Sequence, residues 1–284
     1  MEILIADNSG FCEGVERAYQ LALKQAKQGR PVYMLGNLVH NARVVEKLIR
    51  EGIKMVRGLD QIPQGTNGIL LISAHGVAPE IYEKAKGLGL EIVDTTCPWV
   101  KKAQNLVRQL SEKGDAIVIV GDEGHPEVKG LLGWAGGKAV VVEGPDDLAG
   151  FESLNFFRVG IGVVAQTTQS EANFEAVVQK LREKFKDLTV LKTICGATSK
   201  RQNAAVELAK KVDLMLVVGD KMSANTKRLA ELCAKTGTET HQIQDASELD
   251  LKWFGGRDRI GLTAGASTPD WVVTGIISLI RSKT

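Results

Sequence analysis

DTTCPWV, residues 94–100, sets a single cysteine between the end of an apolar run and a proline of the kind that opens helices. Val100, Ala103, Val107 and Leu110 then recur at helical period, so the segment reads as strand, cysteine, helix. No second cysteine lies within three residues of Cys97, and the close pairs that mark zinc ribbons and redox motifs are missing. The same arrangement occurs twice more. After Cys12 the apolar series is Val15, Ala18, Ala22 and Ala26, and after Cys195 it is the weaker Ala205, Leu208, Ala209 and Val212. Domain-sized intervals separate the three cysteines, which points to an internal repeat.

Working outward, short aliphatic runs such as GILLIS from Gly68, AIVIVG from Ala116 and LMLVVG from Leu214 read as strands buried on both faces. Each unit orders as cysteine, helix, strand, polar loop, helix, strand, second polar loop, helix, and a strand that runs into the next cysteine. The first polar loops are GNLVHN (Gly36), GDEGHPE (Gly121) and GDKMSAN (Gly219), and the second are SAHGVAPE (Ser73), AQTTQSE (Ala165) and TAGASTPD (Thr263). The third unit lacks its last strand, which MEILIADNSGFC at the N-terminus supplies. The expectation is an α/β fold of three similar lobes with parallel sheets, bounded as 13–96, 97–194 and 195–284 plus 1–12. Pro79, Pro98, Pro126 and Pro269 mark helix starts, and ligands in such sheets bind at the carboxyl ends of strands. Nine loops could thus face one centre.

Composition narrows the chemistry. In 284 residues, 44% apolar and 25% charged is ordinary globular usage, which excludes a disordered or fibrous chain. A net charge of +2 gives no broad nucleic-acid footprint, so any anion site is local. No basic stretch precedes the short N-terminal apolar run and no segment approaches a membrane span, so a soluble cytoplasmic protein is expected. In that compartment the four cysteines are not read as structural disulfides.

Three thiolates around one centre leave either a tetrahedral metal with one open position or a [4Fe-4S] cluster with one free iron. Zinc stays open, although the chain has no C-x-x-C scaffold and no H-E-x-x-H. Cys233 falls at no equivalent position and reads as a helix-face residue. His40, His75 and His125 lie in the polar loops with Thr167, Thr168, Ser223, Asn225 and Ser267, a donor-rich set beside helix N-termini that suits a phosphate or diphosphate. Glu127, in GHPEV, complements a helix dipole. Beside a cluster and an anion it becomes a proton source, provided its pKa is raised. GLLGWAGGKAV from Gly130 lacks the first glycine and the final Ser or Thr of a P-loop, and GIGVVAQ from Gly160 lacks the last glycine of a dinucleotide fingerprint. Trp99, Trp134, Trp253 and Trp271 read as packing residues.

GFCEGVERA (Gly10), LVHNARVV (Leu38), AHGV (Ala74), TTCPWVKK (Thr95), GHPEVKG (Gly124), AQTTQS (Ala165), TICGAT (Thr193) and TAGASTPDW (Thr263) together resemble the 4-hydroxy-3-methylbut-2-enyl diphosphate reductases, in order and over essentially the whole chain. The resemblance implies a pseudo-threefold trefoil around a central, oxygen-sensitive [4Fe-4S] cluster with Cys12, Cys97 and Cys195 as ligands and one iron open. It assigns His40, His75, His125, Thr167, Ser223, Asn225 and Ser267 to the substrate, and Glu127 with Thr167 to proton delivery. The implied reaction is a two-electron reductive dehydroxylation giving isopentenyl and dimethylallyl diphosphate for isoprenoid biosynthesis. Electrons would come from an external donor of the ferredoxin or flavodoxin class, with no nucleic-acid or membrane partner. Three positions depart from that family: Ala224 replaces a frequent second serine, Gly196 a frequent tyrosine or asparagine, and AQN at 103–105 stands where many members have a histidine. Two other classes fit three single cysteines: another open-iron enzyme, such as a dehydratase or a quinolinate-synthase-like enzyme, and a cluster-bearing sensor of phosphometabolites.

Overall fold

The structure is a computed structural model and describes residues 1–148 and 160–283. From β1 (Glu2–Ile5) the chain runs through α1 (Glu13–Ala26), β2 (Val32–Leu35), α2 (Ala42–Arg50), β3 (Lys54–Val56), β4 (Ile69–Ile72), α3 (Pro79–Gly87) and β5 (Glu91–Asp94). Then follow α4 (Pro98–Lys113), β6 (Ala116–Val120), α5 (Pro126–Ala135), β7 (Ala139–Val142), β8 (Ile161–Ala165), α6 (Glu171–Lys184) and β9 (Leu188–Val190). The last stretch is α7 (Gly196–Ala209), β10 (Leu214–Val218), α8 (Ala224–Ala234), β11 (Glu239–Ile243), β12 (Arg259–Ala264) and α9 (Asp270–Lys283).

Aliphatic runs without polar alternation need cover on both faces, and β4, β6, β8 and β10 are buried at every position. Among the described residues the strands form three four-stranded sheets, ordered β3-β2-β4-β5, β7-β6-β8-β9 and β11-β10-β12-β1. All pairings are parallel. Each sheet has the same order: second, first, third, fourth. The N-terminal strand completes the third sheet, with Glu2 opposite Arg259 and Ile5 opposite Leu262.

One strand per sheet is absent from the sequence reading. β3, β7 and β11 lie at sheet edges, and β3 and β11 each present just one fully buried residue, so no apolar run or clean alternation announces them. The P-loop look-alike spans α5 and the start of β7, and its glycines Gly136 and Gly137 have φ of 60° and 82°, the left-handed backbone of a helix C-cap. Pro79, Pro98 and Pro126 open α3, α4 and α5, whereas Pro269 falls one residue before α9.

The chain divides into two compact units. One comprises Met1–Glu16, Val39–Glu46 and Gly196–Thr284, and the other Arg17–Leu38 and Lys47–Cys195. In the second, α4 packs Ala103, Val107 and Leu110 against Ile117, Ile119, Leu131 and Val164. In the first, α7 shows weak periodicity for a physical reason: it buries Thr198, Arg201 and Gln202 alongside Ala205 and Ala209. The tryptophans need correction. Trp134 donates Nε1–H to the Val77 carbonyl and Trp253 packs on the β10–β12 core, but Trp99 and Trp271 are 42% and 44% exposed and are not core residues. No helix among the described residues is long and apolar enough to cross a membrane.

Candidate active site

In a doubly wound sheet the strand order reverses between the first and third strands, and the loops leaving those two strands open a crevice. The polar residues occupy these loops. His40 follows β2 and His75 follows β4; His125 and Glu127 follow β6, and Thr167 and Thr168 follow β8; Ser223 and Asn225 follow β10, and Ser267 follows β12. The cysteines follow the fourth strands, directly before α1, α4 and α7. Loops after the second strands carry none of the predicted residues.

The three cysteines are held alike. Cys12 N–H donates to the Ala266 carbonyl at 3.1 Å, Cys97 N–H to Ala74 at 3.0 Å and Cys195 N–H to Thr167 at 3.0 Å. Each acceptor lies two residues past the end of its sheet's third strand, so each cysteine is pinned to the loop that carries Ser267, His75 or Thr167 itself. None of the three is in a disulfide among the described residues, and all three are partly exposed. Cys233 is fully buried in the α7–α8 core, and burial pushes its thiol up to about 11, so it stays a protonated apolar filler. Donor chemistry therefore separates three accessible thiols, able to ligate iron or another thiophilic metal, from one that is not.

In the second unit a carboxylate and a threonine meet. Glu127 is 2% exposed on the first turn of α5; Thr167 N–H donates to its Oε1 at 2.6 Å, and Thr167 Oγ1 lies 2.9 Å from Oε2. Burial raises the Glu127 pKa from 4.5 to about 7, the Thr167 hydrogen bonds pull it down, and Asp122 adds a smaller upward push. The group is thus poised between acid and base near neutrality. His125 caps α5, with Nδ1 accepting Glu127 N–H at 3.1 Å, which leaves Nε2 to carry the proton of the neutral ring. The His75 ring stands edge-on to His125, with centroids 5.3 Å apart.

The first unit gathers the remaining donors. Ser223 caps α8 by accepting Thr226 N–H, and Ser267 Oγ donates to the His40 carbonyl at 2.7 Å. Burial lowers the His40 pKa, partly offset by Asp220, favouring a neutral imidazole. Asn225 is 3% exposed, and among the described residues neither its amide oxygen nor its amide nitrogen has a hydrogen-bond partner. A buried orphaned amide costs about 1–3 kcal/mol.

One buried residue escaped the sequence reading, and another entered it only as a departure from the family pattern. Arg201, 3% exposed, donates Nη1–H to the Ala264 carbonyl at 3.0 Å, which also accepts Gly10 N–H, so one permanent cation ties α7 to the loop before Cys12. Its signal was the weak apolar face of α7. Gln104, 4% exposed, lays its amide on Gly76, where a Cβ would come within 2.3 Å of Nε2. Its signal was the AQN departure itself.

Comparison with known proteins agrees with this layout. A family model described as LytB protein matches residues 3–281. The 4-hydroxy-3-methylbut-2-enyl diphosphate reductase of Geobacter metallireducens is 45% identical over 281 residues, covering 99% of this chain and 97% of that protein. The enzyme of the same name from Caldanaerobacter subterraneus subsp. tengcongensis is 42% identical over 286 residues, covering 99% and 97%. The solved structure of the E-1-hydroxy-2-methyl-but-2-enyl-4-diphosphate reductase from Plasmodium falciparum superposes with a TM-score of 0.92 at 32% identity, covering 98% of this chain and 87% of that one. A second solved structure, of an (E)-4-hydroxy-3-methyl-but-2-enyl diphosphate reductase termed the terminal enzyme of the non-mevalonate pathway, gives 0.71 at 39% identity, covering 99% and 100%. A match of this length, carried by relatives that span the whole chain, means that the protein belongs to the LytB family.

Proposed function

We infer that this chain is an oxidoreductase that removes the hydroxyl group of 4-hydroxy-3-methylbut-2-enyl diphosphate as water, using two electrons and two protons, and releases isopentenyl and dimethylallyl diphosphate for isoprenoid synthesis. The observation that carries the reading is Glu127: a carboxyl held near neutrality by burial and gripped through both oxygens by Thr167, whose own carbonyl receives the Cys195 N–H.

Cys12, Cys97 and Cys195 are the residues to hold an iron–sulfur cluster, and their matching backbone anchors and shared partial exposure support one shared role. When bound, a [4Fe-4S] cluster with three cysteine ligands supplies the electrons and a Lewis-acidic iron. On this reading residues 13–96, 97–194 and 195–284 with 1–12 are the three lobes that each bring one cysteine. The chain's own residues do the rest. His125 offers Nε2–H to the diphosphate, and Asn225 offers an amide with no internal partner. Ser223, Ser267, His40 and His75 complete the anion's donors, with Ala224 leaving one contact to backbone. Protonated Glu127 donates to Thr167 Oγ1, and that hydroxyl donates to the leaving oxygen, so the pair delivers a proton without admitting water. The electron donor is of the ferredoxin or flavodoxin class, and the place of work is the cytoplasm.

Anaerobically prepared protein, given the allylic diphosphate and reduced methyl viologen, tests the reading. Reductant-dependent formation of both products is expected. Water loss without reductant would indicate a dehydratase, and binding without turnover a sensor. Cys97→Ser should lower the iron and sulfide counts of the same preparation.

A further inference from the structure

The first turns of α4 are organised for something other than helix stability. Cations near a helix N-terminus oppose its dipole, yet α4 has no acidic residue in its first turn and carries Lys101 and Lys102 close behind it. α2, α7 and α8 also lack an acid there, but α1, α3, α5, α6 and α9 each have one. Pro98 and Trp99 are exposed immediately after Cys97, and Lys102 Nζ sits 5.5 Å from the centroid of the Trp99 ring. Beside them opens a groove of about 470 Å³ whose walls include Arg17, Lys101, Lys102, Asn105 and Gln109 and, among the described residues, no carboxylate. Lys101 Nζ is paired with Asp94 Oδ2 at 2.8 Å, so the positive field of the groove comes from Lys102 and from Arg17, whose Nη1 donates only to the neutral Thr96 carbonyl at 3.3 Å.

Resting on the reductase reading, we propose that this groove docks an acidic one-electron carrier protein of the flavodoxin class and sets its cofactor against Pro98 and Trp99. Charge complementarity identifies the occupant: a cationic groove with an exposed aromatic anchor fits an acidic protein surface. Position supports it, because Lys102 lies five residues beyond Cys97, about 7.5 Å along the helix axis. The other two cysteine-led helices lack this combination. α1 opens on Glu13 and Glu16 and gives the groove only Arg17, and α7 opens on Gly196 and Ala197 with no aromatic. Each docking oxidises one carrier by one electron; two dockings supply two electrons, which with two protons convert the substrate's C–OH to C–H and water.

The test compares two reductants on anaerobic holoenzyme. Lys102→Glu and Trp99→Ala should keep the kcat obtained with reduced methyl viologen, which needs no docking surface. With reduced flavodoxin at low salt, Lys102→Glu should lose roughly tenfold in kcat/KM, and the deficit should shrink as salt rises. Arg182→Glu, an exposed charge reversal on α6, should change neither. Flavodoxin-driven rates equal to the unaltered protein in both groove variants overturn the proposal. So does a Lys102→Glu protein that loses only heparin retention, which assigns the groove to a polyanion. Absence of viologen-driven turnover in the unaltered protein would instead remove the reductase reading, so the two failures are distinct.

Discussion

Glu127 and Asn225 occupy the same place in two lobes, the second residue of the helix that follows the first strand of the sheet. Both are almost fully buried, at 2% and 3% exposure. Their hydrogen bonding is opposite. Glu127 has both oxygens engaged by Thr167, whereas the Asn225 amide engages nothing. In the remaining lobe the equivalent residue, Arg43, is exposed and ion-paired to Asp245 at 2.6 Å. One repeated position thus serves three ends. On the proposed roles, a proton donor is fixed in a defined environment, and an anion-binding amide is left open.

The contrast breaks most clearly at Glu127. Glu127→Gln should cut turnover by about 10²–10⁴-fold while iron content and substrate binding persist; anaerobic kinetics with iron analysis decides. The same substitution should flatten the stability–pH curve. Because the folded pKa is raised, the folded state keeps a proton that the unfolded chain has already released. Glu127 therefore favours folding below pH 4.5, and that stability is lost as pH rises through about 7. The loss amounts to about 3 kcal/mol, readable by denaturant titration at several pH values and absent in the Gln variant.

At Asn225 a smaller and oppositely signed effect is expected. Asn225→Leu removes an orphaned amide, so the free protein should be equal or more stable by about 1 kcal/mol, while the diphosphate dissociation constant rises roughly tenfold. A loss of stability with unchanged affinity would make Asn225 structural. Thr167→Val sharpens the Glu127 side: the hydroxyl holds the carboxyl's pKa down, so its loss should move the alkaline limb of kcat to higher pH and slow turnover severalfold. Smallest of all, Cys233→Ala should leave iron content and turnover unchanged and cost about 1 kcal/mol of stability, as befits a buried thiol pushed up to about 11.

Much of the architecture is legible without coordinates because it is written locally. A both-sides-buried strand has to be an aliphatic run, a first-turn proline marks its helix, and three cysteines at matching junctions expose the repeat. β3 and β11 were hidden because an edge strand needs little apolar cover, and α7 was weak because it buries Arg201 and Gln202. The exposed Trp99 and Trp271 could not be told from core residues by type alone.

The sequence by itself determined three parallel sheets, the polar loops, and the thiols and donors those loops hold, since periodicity and loop composition are properties of neighbouring residues. Only the tertiary structure decided that Glu127 stands near neutrality, that Asn225 is orphaned and that Cys233 is inert. Protonation and hydrogen-bond satisfaction depend on desolvation and on partners such as Thr167, 40 residues away, and a linear string carries neither.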